Sequence, residues 1–184
     1  MNKTEEKRQI IIEKAADHLL LHGLKAATLR KLAVTAEISD RMLMHYFTNK
    51  EELLQATLTV LTSRLVSLLE SSRTEPMPLE KFLPYLAQMM KNPQVRPFLR
   101  LSLELAALTA EGNSSYTAMA QKICNDFYLW MASAIQVERE EDRLELAALA
   151  FATTEGFMVL DALGSGSIID SALKGLLVRS PTIR

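Results

Sequence analysis

Along the first fifty residues the apolar positions recur in pairs at helical spacing. Ile11 and Ile12, Ala15 and Ala16, and Leu19 and Leu20 alternate with polar or charged residues, which predicts an amphipathic first helix over about Thr4 to His22. Gly23 then suits the left-handed position that closes a helix. Thr28 is placed to cap a short second helix, about Leu29 to Glu37, with Leu29, Leu32, Ala33 and Ala36 inward. Glu37 and Ile38 form a turn, and Ser39 opens a third helix over Asp40 to Phe47. There Leu43 and Phe47 face the core and Arg41, Met42, His45 and Tyr46 face outward. Asn49 and Glu52 have the spacing of a capping box at the head of a long fourth helix, about Lys50 to Ser71, with a leucine stripe.

Beyond it the helical pattern continues between breaks at SSRTEPMP (71–78), Asn92-Pro93, EGNSS (111–115), the charged patch 138–143 and GSGS (164–167). The segments between them predict helices near Leu79–Lys91, Val95–Ala110, Tyr116–Gln136, Arg143–Leu163 and Ile168–Val178, followed by a frayed tail, SPTIR. With only 6 Gly and 6 Pro and with 48% hydrophobic residues, the composition favours helix nearly throughout. The expected fold is all-α: a three-helix head joined by the long fourth helix to a C-terminal helical bundle, about nine helices in all. The expected domains are residues 1–49 and 50–184.

Charge sharpens the division. The chain has a net charge of −1, yet residues 1–50 carry +3 and residues 51–184 carry −4, so the head is the basic end. No apolar run approaches about 18 uninterrupted residues, and the charged start MNKTEEKRQ has no signal-like block behind it, so a cytoplasmic protein without a membrane segment is expected. The single Cys124 fits a reducing compartment. His18 and His22 stand four apart with no evident third ligand, so neither a metal nor a cofactor is expected. GxSxG, phosphate-loop and dinucleotide glycine patterns are absent, which argues against an enzyme.

Two short capped helices joined by a tight turn are the means by which a helix is delivered into a DNA major groove. Arg30 and Arg41 have the donor geometry for guanine O6 and N7, whereas Thr28, Tyr46 and Lys50 suit phosphates. Asp40 reads first as a first-turn helix stabiliser and second as a cytosine reader. The competing reading is a helical protein-interaction module without specific DNA binding.

The paired Ala15-Ala16, Gly23, Thr28, Ala33, Ile38-Ser39, Phe47, and Lys50 with Leu53 together resemble the TetR family of transcriptional repressors over about residues 8–54. The resemblance implies a homodimer on a pseudo-palindromic operator, released when a small molecule binds the body. It implies that Thr28 and Lys50 contact phosphates, that Arg30 occupies a base-contacting position, and that Ser39, Asp40, Arg41, Met42, His45 and Tyr46 occupy the reading helix. Glu37 departs from the usual turn glycine and Met44 from a common tyrosine, so the turn and one backbone contact should differ from the family pattern.

In the body, Leu144, Leu146, Leu149, Phe151, Phe157, Met158 and Leu160, followed by Ile168, Ile169, Leu173, Leu176 and Leu177, exceed what a small bundle hides. They suggest homodimerisation through helices 8 and 9, the alternative being monomer core. Phe82, Tyr85, Met89, Phe98, Met119, Phe127, Trp130, Met131 and Phe151 could line an effector pocket or be ordinary core. Glu104 and Glu155, set among apolar neighbours, could meet a cationic effector, an internal arginine or solvent.

Overall fold

A computed structural model describes residues 3–72 and 75–179, with side chains through Leu176. Leu177 of the apolar set and the SPTIR tail lie outside the described side chains and residues. Among the described residues there are nine α-helices and no extended strand: α1 (Lys3–His22), α2 (Leu29–Thr35), α3 (Asp40–Tyr46), α4 (Lys50–Glu70), α5 (Leu79–Met90), α6 (Arg96–Ala110), α7 (Ser114–Ala134), α8 (Arg143–Ala162) and α9 (Gly166–Arg179). The all-α expectation holds, and helix ends differ from the predicted ones by a few residues. The chain divides into two compact units, one of Met1–Ser67 with Pro97–Cys124, the other of Leu68–Arg96 with Asn125–Arg184.

The first unit is built on the paired apolar positions of α1. Ile11, Ile12, Ala15, Ala16 and Leu19 pack with Leu32 and Ala33 of α2, Leu43 of α3, and Leu53, Leu54, Leu58 and Leu61 of α4. Leu101 and Leu105 of α6 and Met119 of α7 complete the same core. A seven-residue helix is marginal alone in water, so α2 and α3 exist because Leu32, Ala33, Leu43 and Phe47 are buried here. By length and composition α4 could cross a membrane, which the count of uninterrupted apolar residues did not anticipate. Its leucines instead fill the core, and its Arg64 pairs with Glu13 and with Asp17 at 2.7 Å.

Glu104 settles one open question of the sequence. Its Oε2 accepts the Leu24 N–H at 2.7 Å, and Arg100, one turn earlier on α6, donates to the Leu20 carbonyl at 2.6 Å. These two side chains tie the C-terminal end of α1 and its following loop to α6. The partner of the carboxylate is thus a backbone amide, with the Arg100 guanidinium 4.0 Å away.

In the second unit α5, α8 and α9 pack together, burying Phe82, Leu83 and Leu86 of α5, Ala147, Ala150, Phe157 and Met158 of α8, and Ile169 of α9. The Arg143 guanidinium donates to the Ala132 and Ile135 carbonyls at 2.8 Å each, closing the end of α7. Backbone bonds between Met77 and the 134–136 segment pin the loop before α5.

Candidate nucleic-acid interface

Three capping signals order the candidate surface. Thr28 and Ser39 adopt extended backbone, and their hydroxyls accept the N–H groups of Lys31 at 3.3 Å and Met42 at 3.2 Å. Asn49 Oδ1 accepts the Glu52 N–H at 2.8 Å, but Glu52 reaches back to the Thr48 N–H at 2.7 Å rather than to that of Asn49. Its second oxygen meets Arg8 at 2.9 Å, and Arg8 also lies 4.8 Å over the Phe47 ring. The Thr48 amide, followed by Arg8, holds the Glu52 carboxyl below the usual carboxylate range. The start of α4 is therefore locked to α1, and Lys50 is presented half-buried at that start.

The turn between α2 and α3 is where Glu37 departs from expectation. Its φ of 59° places it in the left-handed region normally filled by glycine. The Ile38 N–H bonds the Ala33 carbonyl and the Glu37 N–H bonds the Val34 carbonyl, each at 3.0 Å, so the turn keeps the ordinary glycine-type geometry without a glycine. Lys14 on α1 pairs with the Glu37 carboxylate at 2.9 Å and holds its carboxyl below the ordinary range. That exposed pair contributes little, whereas left-handed backbone is unfavourable for a side chain with a Cβ. Glu37→Gly should therefore raise the thermal midpoint by roughly 1 to 3 °C. A lowered midpoint would show that the Lys14 contact outweighs the strain.

Arg30, Ser39, Asp40, Arg41, Met42 and His45 are all exposed on α2 and α3, as is Thr28, while Leu43 beneath them is fully buried. Tyr46 is less outward than the spacing suggested. It is half-buried against the head's core, with its ring 5.3 Å from that of His45 in an edge arrangement. Met44 is exposed alongside Met42, so the position of the missing tyrosine presents an apolar side chain to solvent.

The amino-acid pattern and this geometry have a counterpart among known proteins. The model of the family described as "Bacterial regulatory proteins, tetR family" matches residues 11–57. The head is similar to the tetR family over these residues. A TetR-family transcriptional regulator from Rhodococcus sp., so described, has the same fold at 20% identity, with 94% of this chain and 95% of that one covered and a TM-score of 0.70. Salmonella enterica GusR aligns at 16% identity over 96% and 98% of the two chains with a TM-score of 0.64. The reduced form of Escherichia coli NemR aligns at 19% identity over 92% and 95% with a TM-score of 0.60. Among curated proteins no sequence matches significantly.

The head also contains a residue that sequence reasoning set aside. His18 Nδ1 shares a hydrogen bond with Thr35 Oγ1 at 3.0 Å, and Nε2 is enclosed near the Ala26 carbonyl without a bond of good geometry. Burial, reinforced by His22 and Lys31, holds this imidazole below the ordinary histidine value of 6.5. The unfolded chain therefore binds the proton first. This contribution to stability is complete above about pH 6.5 and declines as the pH falls through the lower, folded-state value. Thermal midpoints at pH 5.5 and 7.5 should differ more in the wild type than in His18→Gln; equal differences would remove His18 as the cause.

The residues proposed for a pocket separate between the two units. Phe98 and Met119 belong to the core of the first. In the second, Phe82, Tyr85, Trp130 and Phe127 form a run of ring contacts 5.2 to 6.3 Å apart. Trp130 Nε1 donates to Glu70 at 3.1 Å, Tyr85 bonds the Leu69 carbonyl, Met131 is fully buried, and Met89 and Phe151 are half-buried. Solvent reaches Glu155, but neighbouring protein atoms crowd its carboxyl and push it above the usual range.

Proposed function

We propose that this TetR-family regulator is a cytoplasmic repressor that binds a pseudo-palindromic operator as a homodimer and is released by a small-molecule effector. The observation that carries the DNA-reading part is the exposed set on α2 and α3, with Arg30, Arg41, Asp40 and His45 outward and Leu32, Leu43 and Phe47 anchoring the helices from below. Arg30 and Arg41 read bases; Thr28, Ser39, Tyr46 and Lys50 grip phosphates; Met42 makes apolar contact in the groove. Residues 1–49 act as the DNA-binding domain and 50–184 as the ligand-binding and dimerisation domain.

The dimer is supported by one exposed face of α8. Leu149, Val159 and Leu163 lie there at 52%, 46% and 72% exposure, with Ala148, Ala152 and Gly156 interspersed, and Ile168 of α9 is 53% exposed. Small residues between apolar ones let two helices approach closely. Glu155 shares this face, which favours a role at the dimer contact over one in a pocket. Tyr85, Met89, Phe127, Trp130, Met131 and Phe151 remain the proposed effector-facing set in the second unit.

Sedimentation of the full chain at micromolar concentration tests the assembly. A dimer that becomes a folded monomer in Leu149→Glu supports the α8 face; a wild-type monomer overturns it. Footprinting on flanking genomic DNA, with two half-sites centred one or more helical turns of about 34 to 36 Å apart, tests the operator.

A further inference from the structure

The head contains a cleft that the reading helix does not use. It has a volume of about 550 Å³ and opens between the C-terminal end of α1 and the length of α2. His18 and His22 line it from α1, and Thr28, Arg30, Lys31 and Thr35 line it from α2. No carboxylate is among its lining residues, although Asp and Glu outnumber Lys and Arg in the chain, 22 to 21. The fixed charges of Arg30 and Lys31, gathered beside two imidazoles without an acid, repel one another, and an anion relieves that repulsion.

The hydroxyls are already engaged, Thr28 in capping α2 and Thr35 with His18. His18 is enclosed, and its ring centroid lies 4.6 Å from that of His22 at an interplanar angle of 50°. The groups left to meet a ligand are the exposed His22 and Lys31, with Arg30 at the rim. The basic groups lining the cleft with His22 are His18 on its own helix and Arg30 and Lys31 on α2. From α6 the Glu104 carboxylate lies against Gly23 and Leu24, and Arg100 against the Leu20 carbonyl.

We propose that this cleft seats a backbone phosphate of the bound duplex, gripped by Lys31 and His22, so that the protein takes up a proton as it binds DNA. The proposal rests on the DNA-reading assignment above. Thr28 and Arg30 belong both to the reading surface and to the cleft. Each strand carries a phosphate about every 3.4 Å of helix axis, so a strand that meets Thr28 runs a further phosphate past the cleft mouth. A phosphate beside His22 stabilises the imidazolium, and histidine is the side chain whose charge changes between about pH 5 and 8. His18 has its Nε2 enclosed and its Nδ1 bonded to Thr35, which leaves the exposed His22 as the imidazole free to meet a phosphate.

The test is the affinity of the full-length protein for a labelled 30-base-pair duplex at pH 6 and pH 8 over a salt series, with thermal melts at each pH to establish that the chain is folded. Wild-type affinity should be roughly three- to tenfold higher at pH 6. His22→Gln should lose most of that gain. Lys31→Gln should weaken binding at both pH values and reduce the logarithmic salt slope by about 1. Lys50→Gln separates the two levels of the reading. If wild type binds, Lys50→Gln is weakened, and His22→Gln and Lys31→Gln match wild type in pH profile and salt slope, the cleft proposal is overturned alone. If no protein shows salt-sensitive binding, the DNA reading falls with it.

Discussion

Gly23→Ala should lower the stability of the protein by about 2 to 4 kcal/mol, combining left-handed backbone strain with a displaced charge-assisted hydrogen bond. Gly23 has a φ of 83°, and a Cβ built on it would lie 2.5 and 2.7 Å from the two carboxylate oxygens of Glu104. A carboxylate at the end of a flexible side chain can move aside cheaply. This one is held, because it accepts the N–H of Leu24, a residue only 1% exposed. Moving it leaves a buried amide without its acceptor. A double-mutant cycle separates the causes: with Glu104→Ala in the background, Gly23→Ala should cost only the backbone strain, so the two changes together should fall about 1 kcal/mol or more short of their sum. Strict additivity in denaturant titrations would show that the close approach carries no energy.

Arg41→Ala should relax sequence choice rather than abolish binding. A bidentate arginine on guanine discriminates by about 1 to 3 kcal/mol, so the affinity ratio between the preferred and a substituted base pair should fall by roughly five- to 150-fold at one symmetric position. Arg41 is exposed on α3 directly after the Ser39 cap and Asp40, where the first turn of a reading helix meets base edges. Lys50→Ala should instead weaken every duplex alike and flatten the salt dependence. Binding titrations on the operator and on single-base variants distinguish these outcomes. Equal proportional losses for both proteins on all sequences would contradict the division into base and phosphate contacts.

Both predictions begin in features of unequal legibility. The caps at Thr28, Ser39 and Asn49 were readable because capping depends on residues three apart, and the inward Leu32, Leu43 and Phe47 follow from helical period alone. Gly23 was readable as a helix end for the same local reason. Its second role was not, since Glu104 is 80 residues from Leu24 and no spacing rule links them. Glu37 shows the reverse case: a non-glycine residue suggested an altered turn, but the two turn hydrogen bonds hold it in the left-handed region. The basic cleft was hidden in the same way. His18 and His22 are visible together as an i, i+4 pair on α1, but only the packing of α2 brings Lys31 and Thr35 to them.

The body was less readable because aromatic and methionine residues mark both core and pocket. Met119 and Trp130, alike in the sequence, belong to different compact units. Of the apolar residues expected at a dimer contact on the last two helices, Leu144, Leu149 and Ile168 are exposed but Phe157, Met158 and Ile169 are buried. Val159 and Leu163 of the exposed face were not among them, because composition gives the excess while its direction depends on helix phase relative to α5 and α9.

The most direct measurement is selection of bound fragments from genomic DNA by the full-length protein, followed by titration of the recovered duplex against a scrambled one across a salt series. The account predicts enrichment of a two-fold-related site, affinity for it at least about 10³ above the scrambled duplex, and a steep loss of affinity with salt. Recovery of no enriched sequence, with equal and salt-insensitive retention of both duplexes, would contradict it.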